Sequence, residues 1–235
     1  MTTFDTIPLC LSGGADGADM QWGLCAGTAG YSVIHWSFSG HRTKAPESEV
    51  VVLTQEQLDE ADPYLMEAAK TLKRYWPPKK QYVRNLLRRN WFQVRDSDSC
   101  YAIGSINRLD PCERLELETE IKGTVNGGTG WAVEMFLNKH KREACKCFVF
   151  DQEACSWFEW SGNETWIRIY EAPKPSGVWA GIGTSRDLNP MGKLAIRVLM
   201  DYRPSINSPH YHGENYPWKD GLARRDIPPI DHRRA

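Results

Sequence analysis

The chain has 235 residues, 41% of them hydrophobic and 25% charged, with 29 Lys and Arg set against 30 Asp and Glu. These proportions exclude a disordered, collagen-like or coiled-coil chain and supply enough apolar material for one α/β domain with appendages. A net charge of -1 provides no overall basic field for a polynucleotide, and no run reaches the ~18 apolar residues of a membrane span, so neither nucleic acid nor membrane is expected as a partner.

Residues 1–14 lack the basic start and long apolar stretch of a signal peptide, which sets the expectation of a cytoplasmic protein. Cys10, Cys25, Cys100, Cys112, Cys145, Cys147 and Cys155 are odd in number and scattered, and read as reduced thiols. Cys145-x-Cys147 with Cys155 has neither a CxxC pair nor a well-spaced His partner, so no metal and no other cofactor is expected.

In chain order, Pro8 to Leu11 reads as a strand, Ser12 to Asp19 as a glycine turn, and the small and apolar residues to Gly30 as a helix. Tyr31 to Trp36 is a second strand ending in the polar loop Ser37 to Thr43. Leu58, Ala61, Leu65, Ala68, Ala69 and Leu72 recur at helical spacing, predicting a helix from Thr54 to about Tyr75, stopped by Pro77-Pro78. A helix near Lys80 to Arg95 precedes a strand over Cys100 to Ile106. A long polar connection then runs to Asn126.

Gly127 to Gly130 opens an amphipathic helix to about His140, and Cys145 to Phe150 is the next strand. Trp157, Trp160, Trp166, Ile167 and Ile169 suggest a hairpin or edge strands. Val178 to Ile182 reads as a buried strand, Gly183 to Arg186 as a turn, and Asn189 to Tyr202 as a helix with Pro190 in its first turn. The alternation predicts a parallel sheet with helices on both faces. It divides the chain into a core over 1–150, an aromatic-rich β/α extension over 151–203 packed on the same sheet, and a loosely structured tail over 204–235.

A glycine loop entering a helix brings unpaired N–H groups and the positive end of the helix dipole to one point, which suits a phosphate. Ser12, Gly13, Gly14, Asp16, Gly17 and Asp19 form one such loop. Its carboxylates suit ribose hydroxyls, a helix cap or a cation, and the alternative is a tight turn with capping alone. Gly127, Gly128, Thr129 and Gly130 form a second loop, and strand ends on one edge of a doubly wound sheet would let both share a ligand. Glu134 lies one turn past Gly130, where its carboxylate either faces that ligand or faces solvent. Ser39, Gly40 and Arg42 lie in the loop after the second strand and are candidate contacts for the same reason.

Trp36 and Trp131 adjoin the expected ligand edge and are the candidates to stack on a base. His41 is a weaker candidate for phosphate contact. Arg84, Arg88 and Arg95 read as a solvated face. His210, His212 and His232 do not form a ligand set.

Ser12 to Asp19, written SGGADGAD, resembles the first-loop motif of the SLOG superfamily of Rossmann-like nucleotide-binding proteins, particularly its molybdenum-cofactor-carrier-like branch. Gly127 to Glu134, written GGTGWAVE, resembles the GGxGTxxE core of the Lonely Guy phosphoribohydrolase branch, and Arg89 precedes Asp98 at the spacing used there for an active-site arginine. Trp131 stands where that branch carries threonine, and no proline precedes Gly127. The resemblance covers approximately residues 8 to 150. It implies a Rossmann-like fold, a nucleotide or nucleotide-derived ligand, a homo-oligomer, and Arg89 and Glu134 as catalytic candidates.

Cleavage of an N-glycosidic bond develops positive charge on the ribose, so a carboxylate near the anomeric carbon stabilises it or orients water. Glu134 would take that part, Arg89 would clamp phosphate or hold Glu134, and Trp131 would flank the base. Two readings follow: a hydrolase acting on a nucleoside monophosphate or related nucleotide, and a binder, sensor or carrier that holds a nucleotide-derived ligand without turning it over.

Overall fold

The computed structural model describes residues 7–109, 118–185 and 187–202. Cys112, Arg186 and the tail with His210, His212 and His232 lie outside the described residues. The order of elements is β1 (Leu9–Ser12), α1 (Ala18–Thr28), β2 (Ser32–Phe38), β3 (Val50–Leu53), α2 (Gln55–Asp59), α3 (Asp62–Leu72), α4 (Gln81–Val94), β4 (Ser99–Gly104), β5 (Ile106–Arg108), β6 (Glu120–Val125), α5 (Gly127–Lys139), β7 (Cys147–Asp151), β8 (Ser156–Gly162), β9 (Thr165–Ile169), β10 (Val178–Gly183) and α6 (Pro190–Leu199).

The strands form one ten-stranded sheet in the order β3-β2-β1-β10-β4-β7-β8-β9-β6-β5. From β3 to β7 all pairings are parallel; from β7 outward they are antiparallel. The expected parallel sheet is the central part of a mixed one, and the hairpin or edge strands expected from Trp157 to Ile169 are β8 and β9. Four antiparallel strands extend it, because a hairpin of β8 and β9 returns on β7 and a second hairpin of β5 and β6 adds to β9.

Alternation along the central strands fixes which helix covers which face. Cys100 and Ala102 of β4 and Cys147 and Val149 of β7 join α3, α4 and α5 in one buried cluster. Tyr101, Ile103, Phe148 and Phe150 point the opposite way and join α1 and α6 in another. In this second layer the Trp22 ring meets Trp179 edge-on at 5.5 Å between centroids and lies against Gly181, where an added Cβ would stand 2.7 Å from it. Such edge-to-face aromatic pairs add roughly 0.5–1.5 kcal/mol beyond their buried area. Tryptophans 22, 160, 166 and 179 are all fully buried, as a core role requires.

Three local differences from the sequence reading have physical causes. The helix expected from Thr54 is two helices. Thr54 caps α2 in a capping box with Gln57, and α3 restarts at Asp62 with Pro63 in its first turn. The segment Val50–Leu53 is a parallel edge strand on β2. The polar connection before Asn126 contains β5 and β6, and its Arg108 is paired rather than solvated: it holds Glu118 at 2.7 Å and the fully buried Asp151 at 2.8 Å. β10 comes from late in the chain, yet it lies between β1 and β4 and hydrogen-bonds both. Among the described residues no helix is long and apolar enough to cross a membrane.

Candidate functional site

The crossovers from β1 run toward β2 and β3, whereas the crossover through α4 lands on the other side, at β4. In open α/β sheets this reversal leaves a crevice at the carboxyl ends of the strands. Here a cleft of about 590 Å³ occupies it. The ends of β4 (Gly104, Ser105) and β10 (Ile182 to Ser185), the first loop (Ala15, Asp19), the start of α5 and one side of α4 line it. This volume is within the ~300–1,000 Å³ of small-molecule sites.

The two glycine loops meet at this cleft but do different work. The first loop is largely spent on the protein itself. Ser12 is fully buried and its hydroxyl donates to the Gly181 carbonyl at 2.6 Å. Ala18 N–H donates to the Thr184 carbonyl, Met20 N–H to Ala15 and Gln21 N–H to Gly17. Gly17, at φ 100°, takes a conformation that favours glycine and packs against Thr184 and Ser185. Gly13 accepts a hydrogen bond from Arg89, and Gly14 packs against Thr43 and His35. Asp16 is exposed beside Lys44 at 3.1 Å. The expected anion cradle at α1 is thus closed by protein, and Asp19 is its chemically significant contribution to the cleft.

The second loop is open. α5 begins at Gly127 and its N-cap Asn126 makes no side-chain cap bond, so the first-turn N–H groups have no partner within the helix. A Cβ at Gly127 or Gly128 would meet nothing within 4 Å, and Gly127, Gly128 and Thr129 line the cleft. Gly130 differs: its Cβ position falls on the Val125 carbonyl oxygen, so this glycine serves close packing. Arg74 donates to the Gly127 carbonyl at 2.7 Å and fixes the turn from outside.

Helix α4 ties the two loops together. Arg89 donates through Nη1 to Gly13 and through Nη2 to Asp19 (3.1 Å) and Asn90 (3.2 Å); Asn90 donates to the Gly128 carbonyl at 3.2 Å. Gln93 adds a long contact to Asp19 at 3.5 Å. Burial pushes the Asp19 carboxyl up and the Arg89 guanidinium down from their ordinary values, and each opposes the other's shift by attraction. Arg89 is 5% exposed and lines the cleft, while its Nε is buried without a hydrogen-bond partner. A buried cationic donor left unmatched is costly, and the charge it carries favours an anion in the cleft beside it.

Other expected contacts lie elsewhere. Glu134 lies farther along α5 than its cleft-lining residues Gly127, Gly128, Thr129 and Ala132 and is 1% exposed. Its carboxylate pairs with Arg142, which also binds Glu164 at 2.6 Å; burial raises Glu134 while Arg142 opposes the rise. Glu134 is therefore held by Arg142 and is not among the residues that line the cleft. Trp131 is 5% exposed and packs on Trp76, and Trp36 packs on Phe92, so neither lines the cleft as a stacking platform.

Ser39, Gly40 and Arg42 are also outside the lining. His41 bonds Ser37 at 3.0 Å and stacks on Phe38. Arg88, read as a solvated residue, is buried and pairs with Asp59 and Asp62, both at 2.7 Å.

Sequence reasoning missed Asn90, Gln93, Ser105, Gln152 and Thr184 as lining residues. Only α4 offered a signal, since Asn90 interrupts an otherwise apolar helical stripe. The strand-end residues carry no local mark and become visible only once the strand order is known. Compared with protein-family models, with curated proteins and with solved structures, the chain finds no match in any of the three.

Proposed function

We propose that the cleft binds a phosphorylated small molecule of nucleotide type, in keeping with the SLOG-like motifs. The observation that carries this reading is the uncapped, glycine-lined start of α5, which lines one cleft together with the buried guanidinium-bearing Arg89. A phosphate between them would accept from the guanidinium and from the first-turn N–H groups, with the helix dipole adding its field. Asp19 holds the guanidinium in plane and offsets its charge, which suits a singly phosphorylated ligand better than a polyphosphate.

Capture without turnover is the favoured form of this function, because Glu134 is held by Arg142 and does not line the cleft and Asp19 is committed to Arg89. Hydrolysis of an N-glycosidic bond is the second reading, favoured by Asp187, an exposed carboxylate on the cleft wall.

Titration calorimetry with ribose 5-phosphate and adenosine 5′-monophosphate tests binding, and chromatography of the incubated nucleotide for free adenine tests turnover. Saturable binding weakened at least ~10-fold by Arg89→Lys, which keeps charge but loses the planar fork, is expected. Absence of binding for both compounds at millimolar concentration rejects the reading, and release of adenine selects the hydrolase form.

A further inference from the structure

The side of α4 that faces the cleft is divided lengthwise. Val83, Leu86 and Leu87 occupy its first half, and Arg89, Asn90 and Gln93 its second. Exposure falls along the same direction, from 38% at Val83 through 8% at Leu87 to 5% at Arg89 and 1% at Gln93. The aliphatic half is therefore the rim and the polar half the depth. A ligand that matches both halves has an anionic end seated inward and an apolar body lying outward.

We infer that Val83, Leu86 and Leu87 form the seat for a ring-sized apolar group of the ligand, a nucleobase in size and character, with the phosphate innermost. This rests on the nucleotide reading above and adds an orientation and a specificity surface to it. Residues 83 to 87 span about 6 Å of helix axis, the length of a bicyclic ring and too short to shelter an extended acyl chain. Val83 and Leu86 keep part of their surface open, so a ring laid on them would remove apolar area from water on both partners. Among the described residues no tryptophan lines the cleft, which makes the seat aliphatic and tolerant of the ring's hydrogen-bonding pattern.

The experiment compares three probes by calorimetry on the full chain: ribose 5-phosphate, adenosine 5′-monophosphate and octyl phosphate. The nucleotide is expected to bind about tenfold or more tighter than ribose 5-phosphate, from the ring area it buries. Val83→Asn and, separately, Leu86→Asn are expected to erase that advantage while leaving ribose 5-phosphate within about twofold. Val83 is exposed enough for its variant to fold, and far-ultraviolet circular dichroism verifies both proteins. Equal affinities for ribose 5-phosphate and the nucleotide overturn the seat and leave the phosphate site standing. Octyl phosphate binding as tightly as the nucleotide overturns the ring-sized assignment, and variants that weaken both sugar phosphates alike overturn the division of α4. Failure of all three probes overturns the site as a whole.

Discussion

The guanidinium of Arg89 lies 3.1 Å from the carboxylate of Asp19, and both side chains are 6% exposed. The pair joins α4 to the first turn of α1 across 70 positions of sequence, directly beneath the cleft. Neither charge would be tolerated there alone. Removing one partner of such a buried pair costs about 3–5 kcal/mol, because the survivor keeps its desolvation penalty without its attraction. Arg89→Met is expected to lower the unfolding free energy by that amount in urea titration. Adding Asp19→Asn should recover part of it, and strict additivity of the two changes would contradict direct coupling.

Two glycines of α5 that look alike in sequence have opposite requirements. Gly128→Ala places its methyl in open space at the cleft and is expected to preserve or raise stability by up to about 1 kcal/mol while weakening phosphate binding. Gly130→Ala drives its methyl into the Val125 carbonyl and is expected to cost about 1–3 kcal/mol, shifting the helix. Thermal melts together with ribose 5-phosphate titration separate the two effects. The opposite pattern would mean that α5 presents a different side to the cleft.

Glu134→Gln keeps shape and removes the charge that Arg142 holds. A stability loss of about 1–3 kcal/mol with unchanged nucleotide affinity is expected, since hydrogen bonds to a charged group carry roughly that weight. Lost affinity or turnover in a fully stable variant would return Glu134 to the ligand site.

Acid should destabilise the fold through its neutral histidines. Burial, helped by the charge of Arg89, brings His35 and His41 from the ordinary 6.5 down to about 4. Glu49 lies 3.8 Å from His35, too far for a hydrogen bond, and leaves burial dominant. Between pH 4 and 6.5 the unfolded chain takes up a proton at these positions and the folded chain does not. Stability is therefore complete above about 6.5 and declines as the pH falls toward 4, by at most about 3 kcal/mol for His35, whose side chain is 1% exposed. Urea unfolding across this range should show the slope, and His35→Asn should reduce it; a flat profile would exclude this account.

Long periodic segments were legible in the sequence. The helical spacing around α4, the capped entry to α6 with Asn189 and Pro190, and the apolar strands β4 and β7 all carry their own signals. β3 was passed over although its Val-Val-Val-Leu run favours a strand, because it is only four residues long, on a sheet edge, with Val51 and Val52 partly in solvent. Arg108 concealed the β5–β6 hairpin, because a charge paired indoors with Asp151 reads in sequence like a loop residue. The meeting of the two glycine loops was legible from their places after strands. The division of labour between them was not, since Thr184, 166 residues beyond Ala18, supplies the carbonyl that fills the first loop. Glu134 shows the limit of motif spacing: where the helix starts decides which way a correctly spaced residue turns.

The late arrival of β10 makes assembly depend on nearly the whole described chain. Until residue 183 has left the ribosome, β1 and β4 lack the neighbour that joins them, and each presents a bare row of amides and carbonyls to solvent or to another nascent chain. Shortened products ending near residue 150 would contain both glycine loops yet offer sticky borders in place of a cleft. Wholeness of the polypeptide, and not possession of the motifs, is what brings the binding apparatus into being.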